Sequence, residues 1–335
     1  MIKHSKPWIT DADRAAVDGQ LAAGMVAGLD TVKEFERALA QRLGVSGSIT
    51  TCSGTAALVL CLKTLEIGSG KDDEVILPSY VCPTVMQAVA TTGAKPVLCD
   101  SGEFWNATDE TIVKHFTPRT KAIIAVNIFG ISAGLASLKK YPYLIIEDHC
   151  QSFGLKEPLY GAAAFYSFYG TKCLTTGEGG AAVFNDSDLL SRASKLRRDN
   201  AVPGRLSDLQ AALGLSQLSR YDQMLSRRKQ IASRYLNELP KHVIHKVSAV
   251  ASHSMFYRFP LCMNGDFDSI SRNFAQHGIN VGRAVSELLH RHVGQADEDF
   301  PNAVESFNTT VSIPIYPVMS DDDVGKVIDA VKAIA

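Results

Sequence analysis

Apolar and polar positions follow two patterns along this chain. In residues 31–44, Val32, Phe35, Leu39 and Leu43 recur at helical spacing and Gly44 supplies a stop, which predicts an amphipathic helix. Residues 55–65 are apolar on nearly every side and predict a buried helix. Short continuous apolar runs then follow at 74–77, 96–99, 122–126, 144–146, 162–168 and 181–184, separated by turns or by helical stretches such as 84–92. Runs of this kind read as strands covered on both faces, so the pattern predicts an α/β fold with a mainly parallel sheet. From residue 206 the character changes. Ser207 stands ready to cap a helical stretch through Leu218, a second helix is predicted over 222–239, and Pro240 ends it. Weaker patterns at 256–261, 267–277 and 322–334 predict a smaller C-terminal α/β domain. The expected division is a large domain over 1–225, with an N-terminal arm, and a small one over 226–335.

Composition narrows the class of protein. With 335 residues, 46% of them hydrophobic, the chain can bury a sizeable core. Charged residues make up 21% and the formal net charge is -1, which lacks the basic stripe of a nucleic-acid binder. The small basic cluster of Lys195, Arg197 and Arg198 fits a solvated helix end. Residues 1–10 carry charge without the apolar stretch of a signal peptide, and no apolar window is long enough to span a membrane. The seven cysteines are odd in number and include no C-x-x-C pair, so reduced thiols are expected and no metal site. The expected setting is cytoplasmic, with neither a membrane nor a nucleic acid as partner.

Three blocks carry candidate chemistry. Lys172 lies in SFYGTKCLTTGEGG (167–180), after an aromatic run and before a glycine-rich turn. A lysine against apolar walls can lose its proton and attack a carbonyl. Upstream, LIIEDHCQS (144–152) runs a buried strand into Asp148, at the strand end where ligands of open α/β sheets collect. TCSGTAAL (51–58) opens an apolar helix with a small, hydroxyl-bearing turn whose free N–H groups can hold a phosphate, with Gly54 allowing close approach and Thr55 offering a hydroxyl. Each block has an ordinary alternative when taken singly: a surface lysine, a strand-end aspartate capping the next helix, and a plain N-cap at Ser53. Taken together they form the equipment of a pyridoxal-phosphate enzyme, with a carboxylate for the pyridine nitrogen, an amine for the aldehyde and a cup for the phosphate.

The ordered set resembles the DegT/DnrJ/EryC1/StrS family of sugar aminotransferases, of aspartate-aminotransferase-like fold (PLP fold type I). The resemblance runs from about residue 28 to the C-terminus. It rests on SGTAAL (53–58), DEVILPS (73–79), Glu147-Asp148 with Gln151, the block from Ser167 through Lys172 to Gly180, SDLQAALG (207–214) with Gln217-Leu218, and SIPIYP (312–317). It implies that Lys172 is the Schiff-base lysine and Asp148 the pyridinium partner. It also implies that Gln151 bonds the ring oxygen of the cofactor, that Gly54, Thr55 and Ser167 contact its phosphate, and that Glu178 lies in the turn beside the site. Arg205 and Arg283 become candidates for holding a donor carboxylate or a substrate phosphate. The segment from Gly278 through Arg283 to His290 keeps the outline of a substrate loop, with Ala284-Val285-Ser286 in place of the usual Tyr-Pro features. The implied activity is transfer of an amino group from glutamate or glutamine to a keto sugar, nucleotide-linked, in amino-sugar biosynthesis for a surface polysaccharide or secondary metabolite. The implied assembly is a homodimer with sites at the subunit interface.

The chain departs from the family pattern in two further places. Cys82 stands where the family carries an aromatic residue that stacks on the cofactor, with Tyr80 nearby. The loop 198–205 is short; Arg205 aligns with the family's Asn-x-Arg turn, but Pro203 takes the place of the asparagine that reaches the neighbouring subunit, and Asn200 is the candidate substitute. Two other readings stay open. One is sugar dehydration with pyridoxal or pyridoxamine phosphate, which Lys172 argues against because relatives with that chemistry carry histidine there. The other is a non-catalytic, cofactor-binding regulatory relative.

Overall fold

The structure is a computed structural model and describes residues 1–202 and 204–335, with Leu135 described by its backbone alone. Seven strands form the main sheet: β1 (Gly47–Thr51), β2 (Glu74–Pro78), β3 (Lys95–Cys99), β4 (Thr120–Val126), β5 (Leu144–Asp148), β6 (Ala163–Ser167) and β7 (Gly180–Phe184). Their spatial order is β1-β7-β6-β5-β4-β2-β3, and β7 alone runs against the other six. The apolar runs alternate between the two faces. Ile124, Val126 and Ile146 join one core layer, while Ile123, Ala125 and Ile145 join the other. Both faces are covered, which is why these strands read as continuous apolar runs rather than as alternation.

The sequence pattern passes over β1. Its five residues, Gly-Ser-Ile-Thr-Thr, hold one aliphatic side chain, yet all are buried. Glu36 makes this possible by accepting hydrogen bonds from the Thr50 backbone N–H (2.7 Å) and hydroxyl (2.9 Å), while Arg197 pairs with the same carboxylate. A helix at Asp11–Ala22 was also invisible as an apolar stripe. It is held by Asp13, buried and bonded to Arg220 and Gln217.

A second sheet pairs β8 (Phe259–Cys262) with β9 (Thr310–Ile313), antiparallel and flanked by the helices Phe267–Gln276 and Asp321–Ile334. The strand expected over 256–261 begins later because Phe256 has a left-handed backbone (φ 56°), which breaks extension ahead of Tyr257 and Arg258. The helix Tyr221–Glu238 spans the two sheets, and the expected domain division at 225/226 falls inside it. Its buried Arg228 donates from Nη1 to the carbonyls of Phe256 (3.1 Å), Tyr257 (3.0 Å) and Ile315 (2.6 Å). Among the described residues no helix is long and apolar enough to cross a membrane.

Arg228 therefore pins the irregular segment before β8. Arg228→Met keeps most of the volume and strands three carbonyls, each worth about 1 kcal/mol or more when left unpaired. The expected outcome is a melting temperature several degrees lower by calorimetry; a wild-type value would mean that these carbonyls find other partners.

Candidate active site

Parallel strands deliver their carboxyl ends to one edge of a sheet, and the site forms there. β5 ends on Asp148, β6 on Ser167, and the helix Gly54–Thr64 begins just after β1. Ser53 caps that helix, its hydroxyl accepting from the Ala56 N–H at 3.2 Å. A cavity of about 280 Å³ opens at this edge, and Gly54, Thr55, Asp148, Gln151, Ser167, Lys172 and Glu178 all line it. Seven candidates scattered from residue 54 to 178 are thus brought around one space.

Asp148 is 5% exposed. Burial raises its carboxyl above the ordinary range, against the opposing pull of the Cys150 N–H (2.9 Å), the Cys150 thiol, Lys172 and His149. A desolvated carboxylate in this state gains from a cationic partner placed in the cavity. Lys172 is carried on the loop between β6 and β7, with its backbone N–H bonded to Tyr169 O at 2.8 Å. Its Nζ lies 5.3 Å from the centroid of the Tyr257 ring. Burial works to lower its basicity, as apolar walls predict, but Tyr257, Cys150 and Asp148 outweigh it and hold the ammonium above its ordinary value. The Tyr257 phenol moves the other way: burial pushes it up, and the charges of Lys172 and Arg258 bring it below its ordinary value.

The remaining side chains are oriented by specific bonds. The Phe129 N–H donates to Gln151 Oε1 at 2.8 Å, which turns the Gln151 amide nitrogen toward the cavity as a donor. Gly54 makes a cradle: a Cβ there would meet Ser167 Cβ at 2.8 Å and Cys150 Sγ at 3.3 Å. A helix N-terminus, two hydroxyls, an inward amide, a buried carboxylate and an amine form a donor set that fits a flat ring bearing a phosphate, an oxygen and a protonated nitrogen. Pyridoxal phosphate has this chemistry.

Other candidates lie elsewhere. Arg283 is not at the cavity. Its guanidinium sits 4.2 Å from the Phe267 ring centroid and 4.4 Å from that of Phe307, and it donates to Phe307 O at 2.9 Å. His290 is 0% exposed, bonded through Nδ1 to Ser79 Oγ (2.7 Å) and through Nε2 to Asp297 (3.0 Å), and stacked on Phe300. Its polar atoms are committed to holding the end of β2 against the segment 288–297. Arg205 is exposed and donates to Arg198 O at 3.1 Å. Asn200 is exposed in a left-handed turn (φ 55°) after the helix Ser187–Arg198. Pro203 lies outside the described residues. The short loop returns over the phosphate turn, where the Cys52 N–H donates to Gly204 O at 3.3 Å. Cys82 lines the cavity beside Val81 and Val85, while Tyr80 is turned into the core. The sequence reading missed Cys150, which bonds Asp148, and the pair Tyr257-Arg258. The signal for the latter was a phenol and a guanidinium side by side in an otherwise apolar run.

Comparison with known proteins finds relatives across nearly the whole chain. A model of the DegT/DnrJ/EryC1/StrS aminotransferase family matches residues 7–332. The spore coat polysaccharide biosynthesis protein SpsC of Bacillus subtilis is 32% identical, over 99% of this chain and 97% of its own. A GDP-perosamine synthase of Caulobacter vibrioides is 29% identical, over 90% of each chain. The solved aminotransferase TlmJ of Streptoalloteichus hindustanus superposes with a TM-score of 0.89 at 26% identity, covering 99% of this chain and 98% of that one.

Two substitutions test the site as built. Gly54→Ala puts a methyl into the cradle, and the expected result is an affinity for pyridoxal phosphate weaker by about tenfold in a fluorescence titration, with the fold retained. Asp148→Asn tests the buried charge. The folded-state carboxyl lies above its unfolded value, so its ionisation costs the cofactor-free fold stability as pH rises past the ordinary carboxylate range, and the cost is absent at low pH. At neutral pH the cofactor-free D148N protein should melt higher than wild type and bind cofactor more weakly; a lower melting point would contradict the assigned cause.

Proposed function

The chain belongs to the DegT/DnrJ/EryC1/StrS aminotransferase family, whose members are pyridoxal-phosphate enzymes, and on that premise we propose that it moves an amino group from glutamate or glutamine to a nucleotide-linked keto sugar. The observation that carries this reading is the convergence of Lys172 and Asp148 on the same cavity as the Gly54 cradle. The GDP-perosamine synthase relative supports a nucleotide-linked acceptor, and SpsC supports a product destined for a surface polysaccharide.

When bound, the cofactor supplies an electron sink for the carbon that loses its proton. The residues of the chain do the rest. Asp148 holds the proton on the ring nitrogen through a charge-assisted hydrogen bond, worth roughly 1.5–3 kcal/mol. The N–H groups at the start of the helix Gly54–Thr64, with the Thr55 and Ser167 hydroxyls, bind the phosphate. The Gln151 amide donates to the ring oxygen. Lys172 would hold the carbonyl carbon of the cofactor and, as a free amine, would carry the proton taken from the α-carbon of the donor. Leu58, Val85, Val126 and Phe165 wall the cavity and limit water around these steps.

Half-reaction spectroscopy is the decisive experiment. Mixing the enzyme with L-glutamate or L-glutamine should convert the pyridoxal absorbance to the pyridoxamine form, and addition of a nucleotide-linked keto sugar should reverse it. If no amino donor produces that change, transamination is the wrong reaction. Lys172→Ala should slow the half-reaction by about 10³-fold. Borohydride trapping of wild type followed by peptide mapping should put the pyridoxyl label on Lys172; a label on another lysine removes it from this role.

A further inference from the structure

The Tyr257 ring has a second cation against it. The guanidinium carbon of Arg258 lies 4.8 Å from the ring centroid, so Arg258 and Lys172 attend the same aromatic group. The side-chain hydrogen bonds of Arg258 go to an imidazole and a phenol. Its Nη1 donates to His4 Nδ1 at 3.3 Å and its Nη2 to the Tyr257 hydroxyl at 3.4 Å. Among the described residues no aspartate or glutamate pairs with it. The other enclosed arginines are differently placed: Arg220 pairs with Asp13, Arg197 with Glu36, Arg228 spends its donors on three carbonyls, and Arg283 lies between two phenyl rings. Arg258 is half-buried, and with two of its five N–H donors bonded to side chains, its planar fork retains capacity for a bidentate anion.

Its orientation is built in. His4 comes from the N-terminal arm, where Ile2 bridges to Ile279. Its Nε2 bonds Ser312 Oγ on β9 at 3.0 Å. Burial, and then the charge of Arg258, bring the His4 imidazole down to about 3, so it is neutral at physiological pH. The Nδ1 lone pair faces Arg258, which leaves the Nε2 proton for Ser312. Gly282 exists as the seat for this ring, since a Cβ there would meet the His4 imidazole at 2.3 Å.

We propose that Arg258, oriented by His4, binds a carboxylate of the amino donor beside Lys172. The inference rests on the aminotransferase reading and names the side chain that recognises one of its two substrates. The alternative anion, the diphosphate of a nucleotide-linked sugar, fits less well. In an amino acid the carboxylate is one bond from the carbon whose proton Lys172 takes, whereas in a sugar nucleotide the width of the sugar ring separates the diphosphate from a carbonyl elsewhere on it. A guanidinium sharing one ring with the lysine matches the shorter separation. Of the arginines singled out by sequence, Arg283 lies against two phenyl rings and Arg205 is exposed on the short loop.

The experiment is calorimetric binding of glutarate to the holoenzyme, alongside half-reaction kinetics with L-glutamate. Glutarate carries no amino group, so its binding reads this site whether or not the transfer reaction is correctly assigned. Arg258→Gln should raise the glutarate Kd and the glutamate KM at least about tenfold, with the acceptor KM unchanged. Arg258→Lys, which keeps the charge and loses the fork, should fall between and serves if the Gln variant does not fold. His4→Ala should raise the donor KM with little change in kcat, and His4→Asn, which keeps an acceptor and a donor, should restore it. Wild-type affinity for glutarate in both Arg258 variants overturns the proposal. So does a wild-type enzyme that binds no glutarate, or a loss confined to the sugar nucleotide.

Discussion

A carboxylate buried at the end of a strand is the constraint around which this chain is arranged. Among the described residues no cation is bonded to Asp148; one backbone N–H and a neighbouring thiol are its direct partners, with the Lys172 charge acting across the cavity. A charge in that position costs stability unless something cationic arrives to meet it. The parallel sheet places it there, because β4, β5 and β6 all end on the same edge. The helix after β1 faces its positive end into the same space, and the lysine loop closes one side. The site therefore combines a desolvated carboxylate, a helix N-terminus and an amine around one cavity.

Much of this was legible in the residues. The strand runs stood out because both faces of the sheet are covered, and the active-site blocks stood out because each joins an apolar run to a small or charged turn. What was illegible has a common physical cause: long-range polar satisfaction. β1 is a buried strand of mostly polar residues, and it exists because Glu36 and Arg197 meet its Thr50 from elsewhere in the chain. The helix Asp11–Ala22 depends on the distant Arg220. His290 looked like a substrate residue from its place in a loop, and its actual partners, Ser79 and Asp297, could not be read from that position. Lys172 shows the limit most clearly. Its aromatic and apolar neighbours predict an amine of lowered basicity, while the folded arrangement adds Asp148 and Tyr257 and reverses the sign.

The two sheets are tied together by polar groups more than the apolar pattern suggests. Arg228, the Ser79–His290 bond, the Trp105 Nε1 bond to Thr310 and the Asp100 cap on the helix Pro301–Thr309 each cross between segments far apart in sequence. Ser79, His290 and Asp297 even follow the order of a hydrolase relay, but the serine and the histidine are sealed in the core and act as a staple. Hydrogen bonds of this kind demand one geometry, whereas apolar contact tolerates many. Arg228, through the Tyr257 carbonyl, fixes the segment whose ring lies 5.3 Å from the Lys172 amine, and so the environment of the lysine.

The reversed direction of β7 has a mechanical result. A loop that leaves a parallel strand for a helix is anchored to the sheet at one end. The loop bearing Lys172 leaves β6 at Ser167 and re-enters the sheet at Gly180, and those two residues face each other in the antiparallel ladder. The lysine hangs from two adjoining points on the same edge, like a clapper hung from a fixed yoke. Its reach is set by four side-chain torsions about a fixed pivot, so the amine can change direction while the backbone beneath it keeps its place.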